Sequence, residues 1–327
     1  MFTKFLRNLA LGSVLGSCVF AVHATDLTFF ETQRDTDWTS TGVSGVSGRN
    51  NSGDGTADIS LTGTSGTITQ AYLYWHGPSN DSNSPETVNS DINFAGTDIS
   101  GDFLGISSDN CWGFANSVAY RADVTSLVSG DGTYTVTDYL TSSSTADTNG
   151  FSLVVFFDDG DDTNNRDVVM FDGNDSNISN PFDANGWNIL LEDINYASGD
   201  ADMELHVADG QSFSDDALVV NSTTIEPAGA VFQGDTLPID GTASSGGLWD
   251  IRDFDVTSLL SPGLNDLQLT TGQSSDCLAC VLIAIDLPAG AAPPDPDDPP
   301  TGVPAPASAF LLLSGLALLG RQLRKRA

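Results

Sequence analysis

Between residues 25 and 287 the apolar positions never settle into a sustained helical spacing. They form short β-rich runs: Ile68–Trp75, Thr133–Tyr139, Phe151–Phe157, Asp167–Phe171, Met203–Val207, Leu267–Thr271 and Val281–Ile285. Clusters of Gly, Asn, Asp and Ser separate them, which is the pattern of a sandwich or barrel. The acidic residues agree, with 39 Asp against 5 Glu. Asp belongs in turns and loops, whereas Glu favours helices. The stretch is predicted to be all-β.

The pattern also repeats. Arg121-Ala122-Asp123-Val124-Thr125-Ser126-Leu127-Val128 returns 132 residues later as Asp253-Phe254-Asp255-Val256-Thr257-Ser258-Leu259-Leu260. Each copy leads through a turn to a strand and then to a strongly apolar strand. Val88-Asn89 and Val220-Asn221 match at the same offset. Several features in one order at nearly constant spacing point to duplication. The prediction is two tandem β-sandwich domains, residues 25–180 and 181–287. In each copy the Asp can accept backbone N–H bonds, the Thr can cap a single helical turn and the Leu can enter the core. Asp255–Asn265 is similar to a corner of galactose-binding-like jelly rolls that accompany many carbohydrate-active enzymes. That resemblance implies architecture and carries no sugar-binding residue.

Both ends read as address labels. Lys4 and Arg7 precede the apolar run Leu9–Val22, and Val22-His23-Ala24 suits signal peptidase, so residues 1–24 are read as a signal cleaved after Ala24. Leu15-Gly16-Ser17-Cys18 offers a lipoprotein alternative, against which the residues after Cys18 stay apolar. At the other end, residues 303–327 run from Val303-Pro304-Ala305-Pro306 through the apolar Ala307–Leu319 to the basic Arg321–Arg326. A mostly apolar stretch of thirteen residues falls short of the ~20 that span a bilayer comfortably. The order of motif, short helix and basic end resembles the PEP-CTERM sorting signal, with Ala305 where the signature glutamate stands. The resemblance implies recognition by an exosortase-type protease of a Gram-negative bacterium, processing near Val303, Pro304 and Pro306, transient membrane contact, and delivery to the cell surface or matrix. Residues 288–302, rich in Pro and Asp, form an extended spacer ahead of it.

Charge narrows the partners. The chain has 44 acidic residues against 11 basic. Residues 25–302 keep five arginines, no lysine and every acid, a net −39. Such a field repels nucleic acid and anionic membranes. Neutral polysaccharides, cations or basic molecules remain.

Candidate chemistry is sparse. His76 and His206 fall near equivalent places in the two copies, with no further His or Cys at ligand spacing. The mature region has no Gly-x-Ser-x-Gly elbow and no phosphate loop, and its acids are too many for one pair to stand out as a glycosidase couple. No cofactor is required. Calcium is the one the acidic loops suit, with Asp158, Asp159, Asp161, Asp162 and Asp167 as candidate ligands, set against a solvated hairpin tip. Asn50–Asp58 has oxygen ligands at alternate positions but Leu61 where the bidentate Glu would stand.

Three cysteines remain after the signal: Cys111, Cys277 and Cys280. A Cys277–Cys280 bridge needs a turn at Leu278-Ala279, because an extended segment holds those Cα atoms about 10 Å apart. A bond from Cys111 to either would join the two domains, and Cys277 is the favoured partner. The functional expectation is an exported, non-catalytic surface or matrix protein associated with exopolysaccharide or adhesion. Trp75, Trp112, Trp187 and Trp249 are candidate sugar platforms, against core packing as their ordinary fate. The alternatives are a carboxylate-dependent polysaccharide hydrolase and a structural layer subunit.

Overall fold

The computed structural model describes residues 26–46, 53–141, 143–240, 246–273 and 275–292. The signal segment, most of the Pro/Asp spacer and the sorting tail lie outside the described residues, and with them Ala24, Val303, Pro304 and Pro306. Among the described residues no helix is long and apolar enough to cross a membrane.

The chain is all-β. In order the strands are β1 (Thr28–Ser44), β2 (Gly53–Leu61), β3 (Thr67–Ser79), β4 (Asp91–Phe94), β5 (Thr97–Ser100), β6 (Asp102–Ser107), β7 (Asn116–Asp123), β8 (Gly132–Thr141) and β9 (Gly150–Asp158). There follow β10 (Arg166–Ser176), β11 (Asn188–Tyr196), β12 (Asp202–Ala208), β13 (Leu218–Val220), β14 (Thr223–Glu226), β15 (Trp249–Asp255), β16 (Gly263–Thr270) and β17 (Ala279–Pro288). Each of the seven apolar runs falls on a strand, to within a residue. Asn50–Asp58 does not form a ligand loop over its described part, because from Gly53 onward it is β2, paired with β8.

One nine-stranded sheet runs β15-β12-β17-β10-β1-β9-β3-β7-β6, and two four-stranded sheets run β11-β16-β13-β14 and β2-β8-β4-β5. Apart from the edge strand β6, the order repeats. The path β1-β9-β3-β7 over β2-β8-β4-β5 becomes β10-β17-β12-β15 over β11-β16-β13-β14. Each round is a double-sheet jelly roll, and the second starts with β10. The long β1 serves both: residues up to Thr36 pair with β10, and those from Asp37 pair with β9.

The repeated Asp-Val-Thr-Ser-Leu element builds one corner twice. Asp123 accepts the N–H of Thr125 at 2.9 Å, and Asp255 accepts that of Thr257 at 2.9 Å. The hydroxyl oxygen of Thr125 accepts the N–H of Ala71 at 2.9 Å, while that of Thr257 accepts the N–H of Ala201 at 2.8 Å. A single 3-10 turn follows in both copies. The side chain therefore ends one strand and holds the start of another with a single hydroxyl.

Burial explains why some strands are apolar throughout. Along β8 buried and exposed residues roughly alternate, as on a sheet with one wet face. In β9 every residue from Gly150 to Phe157 is buried. Phe151, Leu153 and Val155 enter the core of their own jelly roll. Val154 and Phe156 point the other way, into a cluster with Val168, Met170, Trp249, Val281 and Leu282 of the second roll. The second roll has its own core around Phe171, Trp187, Leu205, Leu267 and Ile283. The large sheet thus folds back at β1 so that its two outer faces meet in a third core. Full burial of each large apolar side chain there contributes about 1.5–3 kcal/mol.

Polar groups lock the same seam. Arg121 pairs with Asp172, and its guanidinium lies 3.4 Å from the centre of the Phe30 ring. Tyr74 donates its hydroxyl to Asp172 at 3.2 Å. The Trp249 indole donates to Ser152 Oγ at 2.7 Å, and that hydroxyl also meets His206 Nδ1 at 2.8 Å.

Candidate functional site

At one end of the seam, loops from both rolls come together. Between β6 and β7, Asn110 and Cys111 both take left-handed backbone conformations, with φ of 50° and 70°. Asp109 supports this tight tip by accepting the N–H of Gly113 at 2.6 Å. The turn aims Cys111 at the β16–β17 loop, where it is bonded to Cys277 with the Cα atoms 6.2 Å apart. Cys280, on β17, is buried and free. The next residue, Trp112, is half-buried and reaches across the seam, its indole N–H donating to Asp209 Oδ1 at 2.7 Å.

These loops line a cleft of about 430 Å³. Trp112 and Asn110 come from the first roll; Gln211, Phe213, Gln273 and Asp276 come from the second. Phe213 is 48% exposed, unusual for so large an apolar side chain. The lining thus joins two aromatic faces to the side-chain amides of Gln211 and Gln273, while the Asn110 amide is turned inward to Ser176. Local chemistry explains its rigidity: Asp276 accepts the N–H groups of Gln211 and Cys277 at 2.9 and 3.0 Å. Behind it, Asp215 accepts the N–H groups of Val231 and Phe232 at 2.9 and 2.8 Å. Aspartates that satisfy loop backbone in this way replace the missing ladder bonds.

Burial sets the electrostatics. It pushes Asp276 up to about 7; the N–H bonds from Gln211 and Cys277 oppose it, and the charges of Asp215 and Asp250 add to it. Asp209, wholly buried, is raised well above the ordinary carboxyl range by burial, against the pull of the Trp112 indole. The cleft therefore has one carboxyl raised toward neutrality and, behind Trp112, a second carboxyl raised by burial. Raised carboxyls in a cleft are what acid–base chemistry and sugar hydroxyl recognition both use.

The residues singled out in the sequence are spread differently. Asp158, Asp159, Asp161 and Asp162 are exposed on the β9–β10 hairpin. Asp158 and Asp161 accept local N–H bonds from Gly160 and Thr163. Asp167 is buried, accepting the N–H groups of Asp35 and Ala292 at 2.9 Å each. The five do not converge. The hairpin instead folds back on Asp37, which accepts the Asn164 amide at 2.9 Å and the Asp159 N–H at 3.1 Å. Among the described residues, the acids that do converge are Asp26, Asp175 and Asp183, with ligand oxygens within 4.8 Å of one another.

Trp75, Trp187 and Trp249 are core residues, and only Trp112 of the four candidates faces a cleft. His76 and His206 sit on β3 and β12 and are buried. His76 meets Asn149 at 2.8 Å, and burial pulls its imidazole down to about 4. His206 bridges Ser152 and Glu204, the latter at 2.7 Å. This Ser–His–Glu chain resembles a nucleophilic set but is closed inside the seam, with Ser152 and His206 both at 0% exposure. Phe213, Asp209 and Asp276 carry no sequence signal of their own. The cysteine pairing and Trp112 are the sequence signals that point toward this place.

No family model matches the chain. No curated protein matches it either. Among solved structures it is similar to PNGF-II in space group C2, with 10% identity over 79% of this chain and 66% of that one, at a TM-score of 0.31. It spans about two thirds of that protein. PNGase F, a glycosylasparaginase from Flavobacterium meningosepticum, matches at 8% identity over 77% of this chain and 96% of its own, with a TM-score of 0.22. A plant receptor-like kinase, ANX2, matches at 11% identity over 79% of this chain and 92% of its own, with a TM-score of 0.20. At these scores the likenesses carry no argument about activity.

Proposed function

We propose that this is an exported surface or matrix protein that binds neutral polysaccharide, without turnover, in the cleft between its two jelly rolls. The observation that supports this most is the lining itself. Trp112 and Phe213 offer apolar faces for the C–H side of a sugar ring. Gln211 and Gln273 offer planar donors and acceptors for hydroxyls. The strongly negative field favours an uncharged polymer over an anionic one. A signal ending at Ala24 and a tail processed near Val303–Pro306 would deliver the protein to such a polymer.

One observation favours a second reading. Asp276, pushed up to about 7 by burial at the cleft, has the acidity a glycosidase acid requires. One experiment separates the two: a glycan array paired with a hydrolysis assay on the same polymers, using the wild type, Phe213→Ala and Asp276→Asn. The binding reading expects saturable binding without product, weakened about tenfold or more in Phe213→Ala. Product release that Asp276→Asn abolishes would replace it with the hydrolase. Absence of both binding and turnover would leave a structural layer subunit.

A further inference from the structure

The only buried carboxylate in the Asp26–Asp175–Asp183 group has its own problem of satisfaction. Asp175, near the end of β10, is 2% exposed, yet no hydrogen-bond donor reaches its Oδ1. Asp183, in the loop from β10 to β11, likewise has an Oδ2 with no donor. Asp26, just ahead of β1, supplies the third oxygen, and the ligand atoms lie within 4.8 Å of one another. Buried polar oxygens in a folded protein almost always have a partner. Here the nearest groups are other carboxylates, which accept and do not donate when ionised.

The loop is built to hold this arrangement. Asn180 accepts the N–H groups of Phe182 and Asp183 at 2.9 and 3.1 Å, and Asp183 Oδ1 accepts that of Asn185 at 2.9 Å. Those bonds occupy one oxygen of Asp183 and leave the other turned to Asp175. The Trp187 indole donates to the backbone oxygen of Asp175 at 2.6 Å, fixing the strand end against the second core. Burial first, then the charges of Asp183 and Asp26, push the Asp175 carboxyl up to about 9.

We infer that Asp26, Asp175 and Asp183 form a binding site for a hard divalent cation, calcium above all. Three carboxylates offer oxygen ligands with no nitrogen or sulfur, the donor set that suits calcium, and water would complete the coordination. Magnesium demands tighter octahedral geometry and sheds its water reluctantly, so it should bind more weakly. The ion would tie the chain ahead of β1 to the strand and loop that open the second jelly roll. This site is distinct from the sugar cleft and from the β9–β10 hairpin acids.

The test uses the purified protein after chelator treatment, titrated with calcium while thermal unfolding is followed. Terbium, a calcium stand-in, is added in parallel and its luminescence excited through tryptophan, since Trp187 adjoins the site. Saturating calcium, about 100-fold above its dissociation constant, should raise Tm by about 5–10 °C. Asp26→Asn, at an exposed position, and Asp183→Asn should each weaken calcium tenfold or more and reduce the terbium signal. Asp161→Asn on the hairpin should change neither. Overturning results are an unchanged Tm with calcium, an equal shift in Asp183→Asn, or loss of the shift in Asp161→Asn alone. Because Asp26→Asn and Asp183→Asn remove repulsion, their metal-free Tm should match or exceed the wild type, so misfolding would show as a lower one.

Discussion

Replacing Cys111 and Cys277 together by serine should loosen the unfolded chain far more than the folded one. The bridge joins positions 166 residues apart. In the loop-entropy relation a closure of that length contributes about 5 kcal/mol. In a folded part of this size each kcal/mol moves Tm by about 2–4 °C, so the double variant should melt about 10–20 °C lower. Its native structure should survive, because the third core, the Arg121–Asp172 pair and the Trp249–Ser152 bond hold the seam without the bridge. The assay is thermal and urea unfolding of both proteins, with circular dichroism to confirm an unchanged strand content. Wild type unfolded under reductant should coincide with the variant. A Tm change below about 3 °C would refute the loop-closure reasoning. Two separate transitions in the variant would refute the third core as the main link between the rolls.

Other outcomes follow from single sites. Thr125→Val and Thr257→Val each leave a strand N–H, of Ala71 or Ala201, without its acceptor, and each should cost about 1–3 kcal/mol in urea unfolding. The corners are separate, so the double variant should show the sum; a strongly smaller total would mean they are not independent. Stability should also depend on pH through Asp276 at about 7 and Asp215 at about 6, both raised first by burial from 3.8. The folded state then holds protons that the unfolded chain has released. Their contribution is full below about pH 4 and lost as pH rises through 6 to 7. Tm in metal-free buffer should fall between pH 5 and 8, and Asp276→Asn should flatten the fall; a rise across that range would contradict it. Ser152→Ala removes the partner of both Trp249 and His206 inside the seam and should lower stability by about 2–4 kcal/mol. If it also abolished a hydrolytic activity at unchanged stability, the closed Ser–His–Glu chain would have to be reconsidered as a catalytic set.

The sequence by itself determined the fold class, because strand periodicity and turn chemistry are local. Leu153, Val154, Val155 and Phe156 spell a buried strand without reference to any partner. The corner was legible only in part: Asp255 holds the Thr257 N–H locally, but the Thr257 hydroxyl, read as a helix cap, bonds Ala201 on the neighbouring chain segment instead. Strands such as β1 escaped that reading. Residues Thr28–Ser44 are largely polar and half-exposed, and nothing local shows that one half pairs with β10 and the other with β9. The third core was hidden for a related reason. A run apolar on both faces announces double burial, but which surface covers the second face depends on the fold of the whole sheet. The acids show the limit most clearly. The hairpin Asp158–Asp167 looked like a cation loop because its oxygens are close in sequence, yet its tip is solvated and Asp167 serves the backbone. Asp175 and Asp183 are near neighbours in the chain, but Asp26 lies far from both, and only the return of β10 beside β1 brings the three oxygens within 4.8 Å of one another. Composition can supply the ligand atoms, but convergence is a property of long-range pairing, and that is decided by tertiary structure.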